Sequence, residues 1–112
     1  MRQVLLDTNF IVSCMKEKVD FFEEIPLMGI SIIIPEQVIK ELEKLHFKSA
    51  LGLLEKSNFK KIALLGKNVD NAIINYAKKN PELIIATLDR GIKRRIRNPI
   101  LMLRKKKKLE IF

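Results

Sequence analysis

The stretch ISIIIPEQVIKELEKL, residues 30–45, contains the pattern that decides the fold. It begins with a short segment of five mostly β-branched residues, which is typical of a strand. Pro35 then suits the first turn of a helix. Apolar residues follow it at helical spacing, namely Val38, Ile39, Leu42 and Leu45. The pattern therefore predicts a strand that leads directly into an amphipathic helix.

The same alternation continues on both sides of this stretch. Further strands are predicted at Gln3–Leu6, Lys61–Leu65 and Leu83–Ala86, with edge strands at Ile100–Leu103 and Leu109–Phe112. Further helices are predicted at Thr8–Lys16, Asp20–Ile25, Lys48–Glu55, Asn68–Lys79 and Asp89–Arg97. Short apolar strands that alternate with helices predict an α/β fold whose mostly parallel sheet is covered on both faces.

Length and composition limit the class of protein. The 112 residues suffice for one domain, and an apolar content of 47% with 31% charged residues is typical of a globular chain. No apolar run approaches the roughly 20 residues that span a bilayer, and Asp7 interrupts the first one too early for a signal peptide. One cysteine, Cys14, predicts a reducing, cytoplasmic location. With one histidine and one cysteine, a conventional zinc site is excluded.

The positive charge is concentrated at the C-terminal end. The net charge is +9, yet residues 1–89 contain 12 basic and 12 acidic residues. Residues 90–112 contain ten basic residues and one acid, Glu110. A basic block of this kind favours a polyanionic partner, most often nucleic acid or an anionic membrane. For the run Lys105–Lys108, a solvated end of the chain is an equally good interpretation.

Four acidic residues stand where a parallel sheet brings side chains together. Asp7 directly follows the first strand, and Asp89 lies two residues beyond the fourth. Asp70 lies in the first turn of the helix after the third strand, and Glu41 lies within the helix after the second. Ligands bind beyond the carboxyl ends of such strands, and converging carboxylates repel one another. A hard divalent cation, Mg²⁺ or Mn²⁺, would neutralise them and activate water for attack on a phosphodiester.

Each acid also has a purely structural interpretation. Asp7 and Asp89 suit the N-cap of the helix that follows each of them, and Asp70 suits the positive end of a helix dipole. Glu41 suits a surface ion pair with Lys40 or Lys44. Its position at the border of the apolar stripe does not by itself distinguish it from the neighbouring glutamates.

Four segments resemble, in order, the motifs of the PIN-domain nucleases. They are VLLDTN (residues 4–9), IIIPEQVIKELEKL (32–45), NVDNAIINYAKK (68–79) and LIIATLDRGIKRR (83–95). The resemblance implies a three-layer α/β/α sandwich and a single nuclease domain over residues 1–112, with a basic C-terminal segment at 90–112. It also implies one or two Mg²⁺ or Mn²⁺ ions. Many members of the family form homodimers, which leaves both a monomer and a homodimer open for this chain.

The resemblance assigns roles to individual positions. Carried over by position, the catalytic metal ligands are Asp7, Glu41, Asp70 and Asp89, supported by Asn9 and Thr87. Ile92 stands where toxin-type members often have an aromatic residue, and Leu88 stands where ribosomal-RNA-processing members often have asparagine. The basic stretch after Asp89 looks more like the processing branch.

These features predict a metal-dependent endoribonuclease. Basic residues that begin beside the last acid are expected to attract the RNA backbone: Arg90, Lys93, Arg94, Arg95 and Arg97. Processing of ribosomal or other stable RNA, with ribosome-assembly factors as partners, is the favoured role. A VapC-like toxin held by an antitoxin protein is the alternative within the nucleases. A non-catalytic RNA-binding subunit with the same fold is the alternative from another class, and no membrane partner is expected.

Overall fold

The computed structural model describes residues 2–112, apart from the side chain of Lys106. Six strands lie at β1 Arg2–Leu6, β2 Ile30–Pro35, β3 Lys60–Ile62, β4 Ile84–Ala86, β5 Ile100–Arg104 and β6 Lys108–Ile111. Six α-helices lie at α1 Thr8–Lys16, α2 Phe21–Leu27, α3 Glu36–Lys44, α4 Lys48–Glu55, α5 Val69–Lys79 and α6 Arg90–Arg95. Over the described part of the chain, none of these helices has both the length and the apolar character needed to cross a bilayer.

The strands form one sheet with the order β3-β2-β1-β4-β5-β6. All neighbouring pairs are parallel except β5 and β6, which are antiparallel. The chain builds outward from β1 through β2 to β3 and then crosses back to place β4 on the other side of β1. The connections that leave β1 and β4 therefore diverge, and a crevice opens between the carboxyl ends of these two strands.

Alternating side chains of β1 supply two separate cores. Val4 and Leu6 face α1 to α4 and pack in a cluster with Phe10. Leu5 faces the opposite side and packs in a second cluster with Ile73 of α5 and Ile92 of α6. Helices thus cover both faces of the sheet, which confirms the predicted three-layer α/β/α sandwich.

The structure corrects several details of the predicted elements. Helix α6 ends at Arg95 instead of Arg97, so Arg97 lies beyond the helix. β5 is not an edge strand, because β6 folds back beside it and becomes the edge. β3 ends at Ile62 instead of Leu65, since the side-chain amide of Gln37 binds both the N–H and the carbonyl of Leu64 in place of a neighbouring strand. Helix α2 does not end at Ile25 but continues through Pro26 to Leu27.

Candidate functional site

Asp7 lies at the crevice, directly after β1, and its side chain is only 4% exposed. Its Oδ1 accepts a hydrogen bond from the backbone N–H of Thr8 at 2.8 Å and caps α1. Its Oδ2 accepts a hydrogen bond from the hydroxyl of Thr87 at 2.7 Å. Asp7 therefore caps α1, as its sequence position suggested. The two hydrogen bonds also hold its carboxylate at the point where β1 and β4 diverge.

Thr87 joins the first acid to the last. It follows β4 and is fully buried, and its Oγ1 also accepts a hydrogen bond from the backbone N–H of Asp89 at 3.1 Å. The Asp89 carboxylate in turn accepts from the backbone N–H of Ile92 at 3.0 Å and caps α6. A single hydroxyl thus sets the position of Asp7 relative to the segment that carries Asp89.

Asn9 holds the same segment from the other side. Its Oδ1 accepts a hydrogen bond from the backbone N–H of Leu88 at 3.2 Å. The residue belongs to the first turn of α1, so the bond ties the connection between β4 and α6 to the helix that follows Asp7. Asn9 and Thr87 thus both touch the polypeptide around the acids.

Glu41 is distinguished from its neighbour Glu43 by its surroundings. Glu41 is half-buried, whereas Glu43, two residues further along α3, is exposed. The hydroxyl of Thr8 donates a hydrogen bond to Glu41 Oε1 at 2.7 Å. Since the Thr8 amide binds Asp7, this one threonine places Glu41 beside the first acid.

Asp70 completes the set from the opposite helical layer. It lies in the first turn of α5, and its side chain is exposed. Desolvation raises the pKa of Asp70 above its ordinary value, and the negative charges of Asp89 and Glu41 raise it further. Asp70 therefore lies within electrostatic range of two other acids.

The pKa of Asp7 also reflects the negative charges of the neighbouring acids. Burial is the largest influence and raises its pKa above the ordinary value, while the hydrogen bonds from Thr87 and Thr8 oppose that rise. The negative charges of Asp70 and Glu41 raise the pKa of Asp7 further. The neighbouring negative charges thus disfavour ionisation of Asp7 and Asp70, and a cation placed among the acids would relieve this repulsion.

The acids influence one another without yet converging on a single point. Within residues 2–112, no three acidic, histidine or cysteine side chains are close enough to hold one ion as they stand. Carboxylates that repel one another are not expected to close together without a cation. The donors are all oxygen atoms, which is the ligand chemistry of Mg²⁺ and Mn²⁺.

The predicted RNA-binding residues form a basic flank beside the acids. Arg90, Arg94, Arg95 and Arg97 are exposed, and Lys93 is half-buried. The guanidinium of Arg95 donates a hydrogen bond to Asn71 Oδ1 at 3.2 Å, which places it against the residue after Asp70. Helix α6 therefore presents positive charge next to two of the four acids.

Two residues that contribute to the geometry have no separate role in the sequence motifs. Thr8 is predicted only as the first residue of a helix, yet its hydroxyl donates a hydrogen bond to Glu41. Gly91 lies in the first turn of α6, where an added Cβ would stand 3.0 Å from Asp89 Oδ1. A glycine two residues after a capping aspartate is the only sequence signal for this close approach.

Comparison with known proteins identifies the family. A model described as a PIN like domain matches residues 4–106. Ribonuclease VapC4 of Methanocaldococcus jannaschii is 33% identical over 129 aligned positions, covering 100% of this chain and 98% of that protein. The rRNA-processing protein fcf1 of Schizosaccharomyces pombe is 32% identical over 101 residues, covering 84% of this chain and 53% of that protein.

A solved structure shows the same arrangement of elements. The PIN domain endonuclease Utp24 superposes with a TM-score of 0.82 at 30% identity, over 97% of this chain and 90% of that chain. The chain belongs to the PIN-like domain family, which includes these ribonuclease and rRNA-processing relatives. It spans nearly all of the archaeal relative but only about half of the fission-yeast protein.

Proposed function

We propose that this protein is a metal-dependent endoribonuclease that hydrolyses RNA phosphodiester bonds. The observation that carries the proposal is Asp7, a buried carboxylate whose neighbours Glu41 and Asp70 are also acidic. Buried acids that lie close together lower the stability of a fold. A role in binding a cation would explain why this chain has such a destabilising cluster. Relatives named as a ribonuclease and as an endonuclease support the same chemistry.

The acid set fits one or two Mg²⁺ or Mn²⁺ ions in its donor chemistry, with Asp7, Glu41, Asp70 and Asp89 as the ligands. When bound, such an ion polarises a phosphoryl oxygen and promotes ionisation of water. The chain's own residues orient the ligands. Thr87 and Thr8 fix Asp7, Thr8 fixes Glu41, and the first turn of α6 fixes Asp89.

The positive flank on α6 serves substrate binding in this proposal. An RNA backbone carries one negative charge per phosphate and would be repelled by four carboxylates alone. Arg90 directly follows Asp89, Arg94 is exposed on the same helix, and Arg97 is exposed just beyond its end, so these cations would offset that repulsion. The basic residues of this helix are therefore assigned to the phosphates near the site of cleavage.

For the cellular role, we propose processing of ribosomal or other stable RNA in the cytoplasm. The rRNA-processing relatives support this role, and ribosome-assembly factors are the partners it implies. The toxin role, with an antitoxin protein as partner, is favoured by the end-to-end match to VapC4. Growth arrest of a heterologous host on expression of this chain, absent for Asp7→Asn, would decide for the toxin.

The decisive experiment is cleavage of a 5′-labelled structured RNA with Mn²⁺, with Mg²⁺ and with chelator. We expect internal cuts that require the divalent ion, because the acids need it to approach an anionic backbone. Glu41→Gln should abolish these cuts, whereas Glu43→Gln on the exposed side of the same helix should retain them. Identical cutting by both variants, or cutting in chelator, would contradict the proposal and indicate a contaminating nuclease.

If the protein were a non-catalytic RNA-binding subunit, the same assay would give a different result. Such a subunit would bind the RNA without cutting it, and its melting temperature would not respond to Mn²⁺. A ligand that binds only the folded state raises stability as its concentration increases. A flat melting temperature across the Mn²⁺ titration, with RNA binding intact, would therefore favour the binding subunit over the nuclease.

Gly91 provides a test of the Asp89 position. In Gly91→Ala, the new Cβ would meet Asp89 Oδ1 at 3.0 Å, so we expect the carboxylate to shift and the cleavage rate to fall about tenfold. The control is Gly52→Ala in α4, whose added Cβ meets no atom within 4 Å. That control should keep full activity and gain up to about 1 kcal/mol of stability from its higher helix propensity. Equal cleavage rates for the two variants would refute the positioning role of Gly91.

A further inference from the structure

A second basic surface lies at the end of α1, apart from the cations of α6. It is a groove with a volume of about 530 Å³, between the end of α1 and the turn that joins β5 to β6. Among the described side chains, one acid, Glu17, lines it together with four cations: Lys16, Arg104, Lys105 and Lys107. None of these four belongs to the basic flank on α6.

One end of the groove reaches the candidate site. Leu88 lines the groove, and it is the residue between Thr87 and Asp89. Its backbone N–H is bound by Asn9, so this end of the groove is fixed against α1. The basic flank on α6 begins at Arg90, the residue that follows Asp89 in the chain. The segment that carries Asp89 therefore adjoins the groove at Leu88 and leads directly into α6.

The groove is part of the folded structure and is not a loose basic tail. Lys105 and Lys107 belong to a 3-10 turn between two paired strands. The Arg104 guanidinium stacks over the ring of Phe112 at 5.1 Å from its centroid, which anchors it at the base of the turn. Lys107 has a φ of 62°, so the turn holds a left-handed residue. The side chain of Lys106 lies outside the described residues.

We propose that this groove binds the RNA backbone on one side of the scissile phosphate, while α6 binds it on the other. The inference rests on the proposed function and extends it by assigning a strand path across the acids. A groove that is lined by cations and reaches Leu88, the residue before Asp89, fits a chain of phosphates. A membrane surface would instead require a broad, flat basic face, and this cation-lined feature is concave.

The test compares salt dependence of RNA binding in two triple variants. The groove variant is Lys16→Gln, Lys105→Gln and Lys107→Asn, since asparagine tolerates the left-handed conformation at that turn. The control variant is Lys56→Gln, Lys60→Gln and Lys61→Gln, three exposed cations at or near β3 on the opposite edge of the sheet. Both variants lose the same charge, so only the location of that charge differs.

Binding is measured by fluorescence anisotropy with a labelled oligouridylate of about 20 nucleotides, in chelator, from low to moderate salt. Each phosphate contact to single-stranded RNA contributes about 0.7 to the slope of log K against log salt. We expect the groove variant to lose about 2 from the slope and to bind about tenfold more weakly at low salt. The control variant should keep most of the wild-type slope.

The outcomes separate this inference from the proposed function. If wild-type protein cuts RNA and the groove and control variants have the same slope, the groove assignment is wrong and the nuclease stands. If the groove variant alone loses slope while no RNA is cut with Mn²⁺, the groove stands as an RNA contact and the nuclease fails. Groove-dependent binding to phosphatidylserine vesicles without any change in RNA binding would also overturn the inference.

Discussion

Asp7→Asn is expected to abolish cleavage and, in the absence of metal, to make the protein more stable. The variant removes a ligand and a full negative charge from the site, so we expect cleavage to fall by at least about 10²–10³-fold. The same substitution should increase the stability of the fold. The Asp7 side chain is 4% exposed and is surrounded by Glu41 and Asp70, and asparagine carries no charge to desolvate or repel.

The direction of the stability change follows from the pKa of Asp7. Burial raises this pKa above 3.8 in the folded protein, so the folded state retains the proton at pH values where the unfolded chain has released it. Stability therefore decreases as pH rises from about 3.8 through the folded-state value, and above it the whole cost is present. Asparagine removes that cost, and stabilising changes of this kind commonly add about 0.5–2 kcal/mol.

The measurement is the thermal midpoint of both proteins in chelator, near pH 4 and near pH 7. For a domain of about 100 residues, 1 kcal/mol corresponds to roughly 4–8 °C. We expect the midpoint of Asp7→Asn to exceed that of the wild type by more at pH 7 than at pH 4. Added Mn²⁺ should raise the midpoint of the wild type alone. A variant that is less stable than the wild type at pH 7 would show that Asp7 acts mainly as a helix cap.

Local patterns along the chain were sufficient to predict most of the architecture. Helical spacing placed α1 and α4 at their observed bounds, and Asn68, the first residue of another predicted helix, caps α5. The end of β3 escaped prediction, because the amide of Gln37 takes the place of a strand, and no short-range pattern encodes that contact. The inner position of β5 likewise depends on β6 folding back against it.

Local sequence patterns predicted less of the candidate site than of the fold. Position on the helix could not separate Glu41 from Glu43, since both lie outside the centre of the apolar stripe. The structure separates them through Thr8, a residue 33 positions away in the chain. The link from Thr87 to Asp7 spans 80 positions and depends on β1 and β4 being neighbours. These contacts follow from strand order, which a local pattern does not specify.

Thr87→Val is expected to reduce cleavage by about 10–100-fold while leaving the fold intact, as is usual when a group that orients a metal ligand is lost. Valine has nearly the same shape, but it leaves Asp7 Oδ2 without its donor and the Asp89 N–H without its acceptor. A buried polar group left unpaired costs about 1–3 kcal/mol, so the thermal midpoint should fall measurably. The rate and the midpoint are measured on the same preparations.

A purely structural role for Thr87 would lower the midpoint without changing the pH dependence of cleavage. The hydroxyl of Thr87 lowers the pKa of Asp7, so its removal should raise that pKa further. The acidic limb of the pH–rate profile should therefore move to higher pH in Thr87→Val, because protonated Asp7 is a poor ligand.

Two further variants distinguish an effect of Thr87 on the Asp7 carboxylate from an effect on stability alone. Thr87→Ser restores a hydroxyl and should return both the rate and the acidic limb toward the wild type. Ser57→Ala serves as the control, since it removes a side-chain hydrogen bond of 2.7 Å to the Leu53 carbonyl at the end of α4. That control should change the midpoint alone. If Thr87→Val left the acidic limb unmoved, or if Thr87→Ser failed to restore it, the hydroxyl would not be setting the charge state of Asp7.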